Sequence, residues 1–427
     1  MNIDSLVRPD KVHRRVYTDP QIFEQEMTQL FGKTWIYLGH ESQVPKPGDY
    51  LAAWIGQQPV LVIRQRDQSI KVVHNRCPHR GVMVLTEQSG NTGSSIKCGY
   101  HGWTFRLDGR LLVAPKPEAY GSDYDLSDQR VFGLAPVAHV DVYRGFIFGS
   151  TAEEEDRLPS LPDFLGEAAH CIDKIVDRSP IGKVDVSGGR HRYYVRGNWK
   201  LQIENLNDNY HPPFSHACTV GEGQRQFKRR YGDQEGVFLD TNESSDTWDS
   251  VRAVALPWGH SFCDPLPFNH EARGGELFEQ HRQLLSAAHG ETRADDILTD
   301  TFHNVILYPS VVMQLASSHV RFLRPIAVDL TEIVVSPIRY LGAPDEINRQ
   351  LVRYLNITHS AASLIQSDDV EMFRRAQAGL ASDAQAWIWF NRHMDDDKTK
   401  SGGGTSEVVM RNQYQAGYLN YLGGGHE

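Results

Sequence analysis

The 427 residues carry 44 Lys+Arg against 54 Asp+Glu, a formal charge of −10, and 40% are hydrophobic. That is enough length and apolar content for two or three packed domains, while an acidic balance without a Lys/Arg-rich run argues against a nucleic-acid or anionic-membrane surface. Five cysteines are too few for a disulfide scaffold, and no run of 18 apolar residues marks a membrane span.

The opening segment MNIDSLVRPDKVHRRVY lacks the apolar core of a secretory signal, so the expectation is a cytoplasmic protein. Residues 19–35 (DPQIFEQEMTQLFGKTW) place Ile22, Phe23, Met27, Leu30 and Phe31 on one helical stripe, with Asp19 as cap and Pro20 at the first position. From about 36 to 155 short β-type runs (PVLVIRQ, IKVVHN, GFIFGS) alternate with Gly, Pro, Asn and Asp turns, which predicts a small all-β domain. TAEEEDRLPSLPDF (151–164) combines an acidic run with two prolines and is expected to be a solvated connection at a domain boundary. Beyond it, helical patterns over about 199–211, 275–289 and 345–379 mix with strand-like VILYPSVVMQL and TEIVVSPIRYL, so an α+β domain is expected. The polar stretch 219–305 gives no assignment, and TKSGGG (399–404) and GGG (423–425) read as flexible.

Two short loops carry metal-ligand chemistry. CPHRG supplies Cys77 and His79, CGYHGW supplies Cys98 and His101, and Gly81 and Gly102 close the loops. Each loop offers one thiolate and one imidazole, as two apposed loops gripping a metal centre require. Two Cys and two His can hold one zinc or an iron–sulfur cluster. A zinc knuckle usually pairs Cys with Cys, so the Cys-x-His and Cys-x-x-His order favours a cluster with thiolates on one iron and imidazoles on the other. Tyr100 and Trp103 are expected to shield it.

A second constellation lies in NWKLQIENLNDNYHPPFSHA (198–217). Glu204, Asp208 and His211 fall at i, i+4 and i+7, which would share one helical face. Pro212 and Pro213 are expected to break that helix and bend the chain so that His216 meets His211. Two imidazoles and one carboxylate with open coordination positions suit non-haem Fe(II), and IQSDDVEMFRRAQA (365–378) offers Asp368, Asp369 and Glu371.

Taken together, these motifs resemble those of the Rieske non-haem iron aromatic-ring-hydroxylating oxygenases, large (alpha) subunit. The CxH…CxxH loops match the family's Rieske signature, Asn205 to His216 its N-x-x-D-x-Y-H-x-x-x-x-H run, and the acidic pair followed by Gln377 its C-terminal ligand motif. The resemblance implies an α+β protein: an all-β Rieske 2Fe-2S domain over 36–155, and over 1–35 and 156–427 a catalytic domain with a curved antiparallel sheet and long helices of the helix-grip type. It implies Cys77, His79, Cys98 and His101 as cluster ligands, and His211, His216 and Asp369 as ligands of a mononuclear Fe(II), with Asp368 the alternative carboxylate. Asp208 would be the catalytic bridge, hydrogen-bonded to His211 and, across a subunit boundary, to the cluster ligand His101. Asn205, Leu206, Met313 and Ile365 would line a mostly apolar substrate pocket.

The implied reaction is cis-dihydroxylation of an aromatic ring with O2 and two electrons, on a benzoate-, anthranilate- or salicylate-like acid. Arg321 or Arg324 would neutralise the substrate carboxylate, unless they are surface or structural ion pairs. A Rieske monooxygenase or a pure electron carrier are the alternative readings. No GxGxxG fingerprint follows a predicted strand, so a separate NAD(P)H-dependent reductase, with or without a ferredoxin, is expected as donor. The family pattern further implies a trimer of large subunits. The ending GTSEVVMRNQYQAGYLNYL resembles chains that add a small β subunit, but has Gly417 where Trp is common. Cys171, Cys218 and Cys263 are expected as small buried hydrophobes, His74, His260, His270 and His319 as histidines without a spacing partner, and Trp199 as core.

Overall fold

The computed structural model describes residues 2–153, 158–217, 225, 229, 248–264, 275–299, 302, 304–395 and 400–423, and Cys218 and His270 lie outside them. The chain divides into two compact units, Phe31–Leu161 and a larger one of Met1–Leu30 with Pro162–Glu427.

The smaller unit is all-β. Asp49–Ile55, Gln58–Arg64, Ile70–His74 and Ser89–Asn91 form a four-stranded antiparallel sheet. Ser95–Lys97, Thr104–Arg106 and Leu111–Val113 form one three-stranded sheet; Ile36–His40, His139–Tyr143 and Phe146–Ser150 form another. Val60 to Ile63 are buried without alternation, as a strand covered on both faces requires. Leu61, Ile63, Val73, Ile96, Trp103 and Phe105 build a core into which Cys77 and Cys98 are packed.

The larger unit opens as its sequence predicts, with Asp19 accepting a hydrogen bond from the Gln21 amide and Pro20 at the first helical position. The regular helix stops at Gln25, however, and continues as a π-helix over Glu26–Leu30 rather than reaching residue 35. The wider turn keeps Ile22, Phe23, Met27 and Leu30 in the core and carries Glu26 inward with them. The stretch 151–164 is not wholly solvated either: Leu161 and Phe164 are buried, and a helix begins at Leu161.

An eight-stranded antiparallel sheet is the frame, in spatial order His191–Val195, Leu330–Pro337, His319–Ala327, Val311–Gln314, Asn304–Leu307, Ser261–Asp264, Arg252–Ala255 and Ser401–Gly403. The last strand corrects the expectation of a flexible 399–404, because ladder pairing with Arg252–Ala255 supplies the order that a Ser/Gly composition lacks. The single helical pattern over 345–379 is two helices, Asp345–Thr358 and Gln366–Gly379. Hydroxyls break it: Ser360 Oγ donates to Asn356 O, Ser363 Oγ to Thr358 O, and Ser363 Oγ accepts from the Gln366 amide. The break starts a fresh helix whose first turn holds Asp368 and Asp369. Leu355 and Phe373 seat the two helices against Val195, Ile333 and Val335 on one sheet face. No helix among the described residues is long and apolar enough to cross a membrane.

Gly417, where the sequence resemblance leads to an expected Trp, is tightly packed: a Cβ there would stand 2.9 Å from Tyr308 Cε1 and 3.2 Å from Gly259 Cα, so a side chain would require the Tyr308 ring to move.

Candidate metal centres

The two cysteine loops of the smaller unit are built alike. In each, the glycine four residues after the cysteine returns its amide to the cysteine carbonyl, Gly81 to Cys77 at 2.9 Å and Gly102 to Cys98 at 3.1 Å. Both glycines have left-handed φ, +73° and +74°, a conformation open to glycine at little cost. The cysteine amides close the loops onto Val82 O and Trp103 O, each at 2.8 Å. Buried Asn75 anchors the first loop by accepting from the Val84 and Leu85 amides and donating to Leu85 O.

This closure brings the four predicted side chains together. Burial first, and then the neighbouring Cys98, pushes the Cys77 thiol up, and the His79 and His101 rings lie 4.5 Å apart between centroids. His79 Nδ1 is buried without a hydrogen-bond partner among the described residues, a condition that metal ligation satisfies. Two facing soft thiolates and two adjacent imidazoles fit a Rieske cluster. Trp103 stacks on His79, with ring centroids 5.1 Å apart. Tyr100 packs on His101 at 3.8 Å but is itself 65% exposed.

In the larger unit, His211, His216 and Asp369 each offer a ligand atom, all within 4.8 Å of one another. Their assembly corrects the predicted helix over 199–211. The helix Trp199–Asn205 ends early, in an Asn- and Asp-rich stretch whose side chains compete with the helical ladder. Glu204 therefore does not share a face with Asp208 and His211. Pro212 and Pro213 begin the short helix Pro212–Ser215 instead of breaking one, with His211 at its N-cap and His216 at its C-cap.

The Nε2 atoms of His211 and His216 approach Asp369 Oδ1 at 3.5 and 3.4 Å. Their outer nitrogens meet other carboxylates: His211 Nδ1 lies 3.6 Å from Asp208 Oδ2, and His216 Nδ1 3.3 Å from Asp368 Oδ2. Asp369 thus faces inward and Asp368 supports one imidazole from behind, a role that sequence reading assigned to neither. Asn205 Nδ2 reaches the same inner space, 3.1 Å from His211 Nε2 and 3.3 Å from Asp369 Oδ1.

Charge favours a cation here. Burial opposes a charge on His211, but Asp208 and Asp369 together raise it to about 10; a divalent metal answers the same field. His216 is held low by burial, so it stays the neutral imidazole that ligation requires. Burial works against the Asp208 carboxylate, yet His211, the Tyr210 amide and Arg392 hold it below the usual range. Arg392 Nη1 is 3.8 Å from Asp208 Oδ1, its guanidinium lies 3.8 Å from the Tyr210 ring centroid, and Nη2 pairs with Glu407 at 2.9 Å. Nothing in the sequence spacing pointed to Arg392.

A cavity of about 70 Å³ adjoins these ligands. Asn205, Leu206 and Ile365 line it, but Met313 does not. Met313 pairs with Val305 and Val320, one residue out of step with Val312 and Gln314, and strand alternation turns it to the other sheet face. Apolar atoms make up most of the lining, to which Asn304, Gln314, Arg321 and His359 add polar groups.

The other candidates are structural. Buried His260 bonds Phe164 O and the Tyr308 amide, each at 2.9 Å, and burial lowers it to about 4. Cys171 and Cys263 are buried and not disulfide-bonded. Trp199 is core and donates to Glu26 Oε2 at 2.8 Å.

Behind the metal set, Glu26 pairs with Lys200 at 2.5 Å, Tyr17 donates to Glu204 at 2.8 Å, and Tyr414 also donates to Glu204. Burial raises Glu204 to about 7 despite those hydroxyls. A carboxyl raised in the folded state stabilises fully below its unfolded pKa, and that contribution fades as pH climbs through 7. Glu204→Gln should therefore unfold with a flatter pH profile. Relative to the variant, the parent protein should lose about 2 kcal/mol between pH 5 and 8, allowing for screening at its partly exposed edge; parallel denaturant midpoints across that range would refute this.

Comparison with known proteins covers both units. A family model described as Rieske [2Fe-2S] domain matches residues 34–136, and one described as ring hydroxylating alpha subunit (catalytic domain) matches 185–415. The alpha subunit of toluate 1,2-dioxygenase from Pseudomonas putida is 34% identical over 397 residues, 89% of this chain and 82% of that protein. The large subunit of anthranilate 1,2-dioxygenase from Acinetobacter baylyi is 33% identical, over 90% of this chain and 80% of its own. A solved naphthalene 1,2-dioxygenase variant bound to phenanthrene has a TM-score of 0.81 at 25% identity, covering 99% of this chain and 95% of that one. With both units accounted for by one family, the chain belongs to the ring-hydroxylating dioxygenase alpha subunits, oxidoreductases that combine a Rieske [2Fe-2S] cluster with a mononuclear iron.

Proposed function

We propose that the chain is the large subunit of a terminal oxygenase that cis-dihydroxylates an aromatic carboxylate with O2 and two electrons. The convergence of His211, His216 and Asp369 beside a cavity carries the reading, because an enclosed electron carrier needs no such opening. Three relatives named for toluate, anthranilate and 2-halobenzoate 1,2-dioxygenation support an aromatic acid.

In this reading the domain over 36–155 holds the cluster through Cys77, His79, Cys98 and His101, and residues 1–35 with 156–427 hold iron through His211, His216 and Asp369. When bound, the cluster supplies single electrons and the iron supplies open positions for O2 chemistry. Asp208 fixes the His211 ring and, in a ring of three large subunits, meets the partner subunit's His101. Its side chain keeps a partly exposed edge, as such a contact needs. Asn205, Leu206 and Ile365 bound the substrate space, and Asn205 can donate a hydrogen bond into it. Electrons come from a separate ferredoxin or NAD(P)H-dependent reductase, a small β subunit completes the assembly, and the setting is cytoplasmic.

Expressed with iron, the chain should contain roughly three irons and two acid-labile sulfides. With a donor system and benzoate under labelled O2, both oxygen atoms should enter a cis-dihydrodiol acid. A product with one labelled atom, or zinc in place of iron, would overturn the reading.

A further inference from the structure

Arg321 is one of the largest fully buried side chains, 1% exposed, and it lines the cavity beside His211, His216 and Asp369. Its Nε and Nη2 find no hydrogen-bond partner among the described residues. A buried guanidinium with unfilled donors is costly unless an anion completes it. The nearby acid does not do so fully, since Asp369 Oδ1 already faces two imidazoles and the Asn205 amide. Other polar groups of the lining are engaged with one another: Asn304 Nδ2 donates to Leu206 O at 2.6 Å, and Gln314 Nε2 to Asn304 Oδ1 at 3.2 Å.

Strand register separates the two arginines that the sequence offers for a carboxylate. Arg321 pairs with Val312 and Val335, on the sheet face that carries Ile333 and Tyr193. Arg324 stands three residues on and so points to the opposite face. There it is bound to Glu332 at 3.2 Å, an acid also engaged by Arg192 and Tyr194. Arg324 is thus a structural ion pair, while Arg321 brings unfilled donors to the cavity. The Tyr193 hydroxyl, on the same face, is likewise buried without a partner among the described residues, and burial pushes its phenol up to about 12, so it remains a neutral donor.

We propose that Arg321 is the carboxylate subsite of this enzyme, receiving the anionic group of an aromatic acid and so fixing which edge of the ring faces the His211, His216 and Asp369 centre. The proposal rests on the aromatic-acid reading above and names the residue that enforces it. A guanidinium presents parallel N–H donors to a carboxylate in a geometry that an amide or a hydrocarbon does not return, so the preference should appear in binding before any turnover.

The test is calorimetric binding of benzoate and of its neutral isostere benzamide to the iron-loaded oligomer. The parent protein should favour benzoate by at least about tenfold. Arg321→Gln should weaken benzoate by about 30-fold or more and change benzamide by less than about threefold, with Arg321→Lys recovering part of the loss and Arg324→Gln leaving both affinities unchanged. Iron and sulfide content, measured on each variant, guards against a folding defect, and the benzoate preference of the parent protein stands as a criterion that needs no variant. Equal weakening of both ligands would make Arg321 a brace for Asp369 and overturn the subsite. Undiminished benzoate binding by Arg321→Gln would overturn it too, leaving the aromatic-acid reading intact. A parent protein that binds toluene but neither benzoate nor benzamide would sink that reading itself.

Discussion

Replacing Asp208 by Asn should leave cluster and iron in place while product formation falls about 100-fold, the upper part of the range for partners of metal-bound imidazoles. Asp208 Oδ2 stands 3.6 Å from His211 Nδ1, on the side of the ring away from Asp369. Its charge holds a proton on Nδ1 and leaves Nε2 free to ligate. An amide of the same shape keeps the packing but removes the charge, and its NH2 group can turn toward the ring and favour the wrong tautomer. Metal analysis and a single-turnover assay starting from the reduced cluster separate binding from transfer. Turnover within threefold of the parent protein would refute any special role for this carboxylate.

The larger effect belongs to the ligands. His216→Ala or Asp369→Ala should reduce bound iron to roughly one per ten chains and abolish product, with the visible colour of the cluster undiminished, because Cys77, His79, Cys98 and His101 lie in the other compact unit. Asp368→Asn should be milder, weakening iron by about 10-fold, since its Oδ2 only supports His216 Nδ1 from outside. The contrast is the informative part: if Asp368→Asn empties the site and Asp369→Asn does not, the inward and outward carboxylates have been exchanged. Loss of colour in His216→Ala would mean that the two ligand sets are misdivided.

The cluster loops were legible in the sequence because their chemistry is local: five residues from cysteine to glycine fix each turn, and the side chains need only face one another. His211 and His216 were legible for the same reason, although the route was misread. The i, i+4, i+7 pattern of Glu204, Asp208 and His211 satisfied helical periodicity, yet Asn205, Asn207 and Asn209 interrupt the stretch with side chains that rival the backbone ladder. Residues whose role depends on which way a strand faces could not be placed. Met313 was one position out of register, and Arg321 and Arg324 stayed indistinguishable until pairing partners assigned them to opposite faces. Arg392 gave no signal and Asp368 was read only as the alternative ligand, because each acts through a neighbour that only the folded chain supplies.

The clamp formed by Arg392 has a consequence for the far end of the polypeptide. The same guanidinium that touches Asp208 and covers Tyr210 also donates to Thr405 O at 2.9 Å and grips Glu407, at the threshold of the helical segment Val408–Leu422. The turn bearing the proposed bridge is therefore latched by the segment around Thr405 and Glu407. Replacing Arg392 would leave every proposed ligand in place and still unfasten that latch, freeing the Asp208 turn from the segment that holds it.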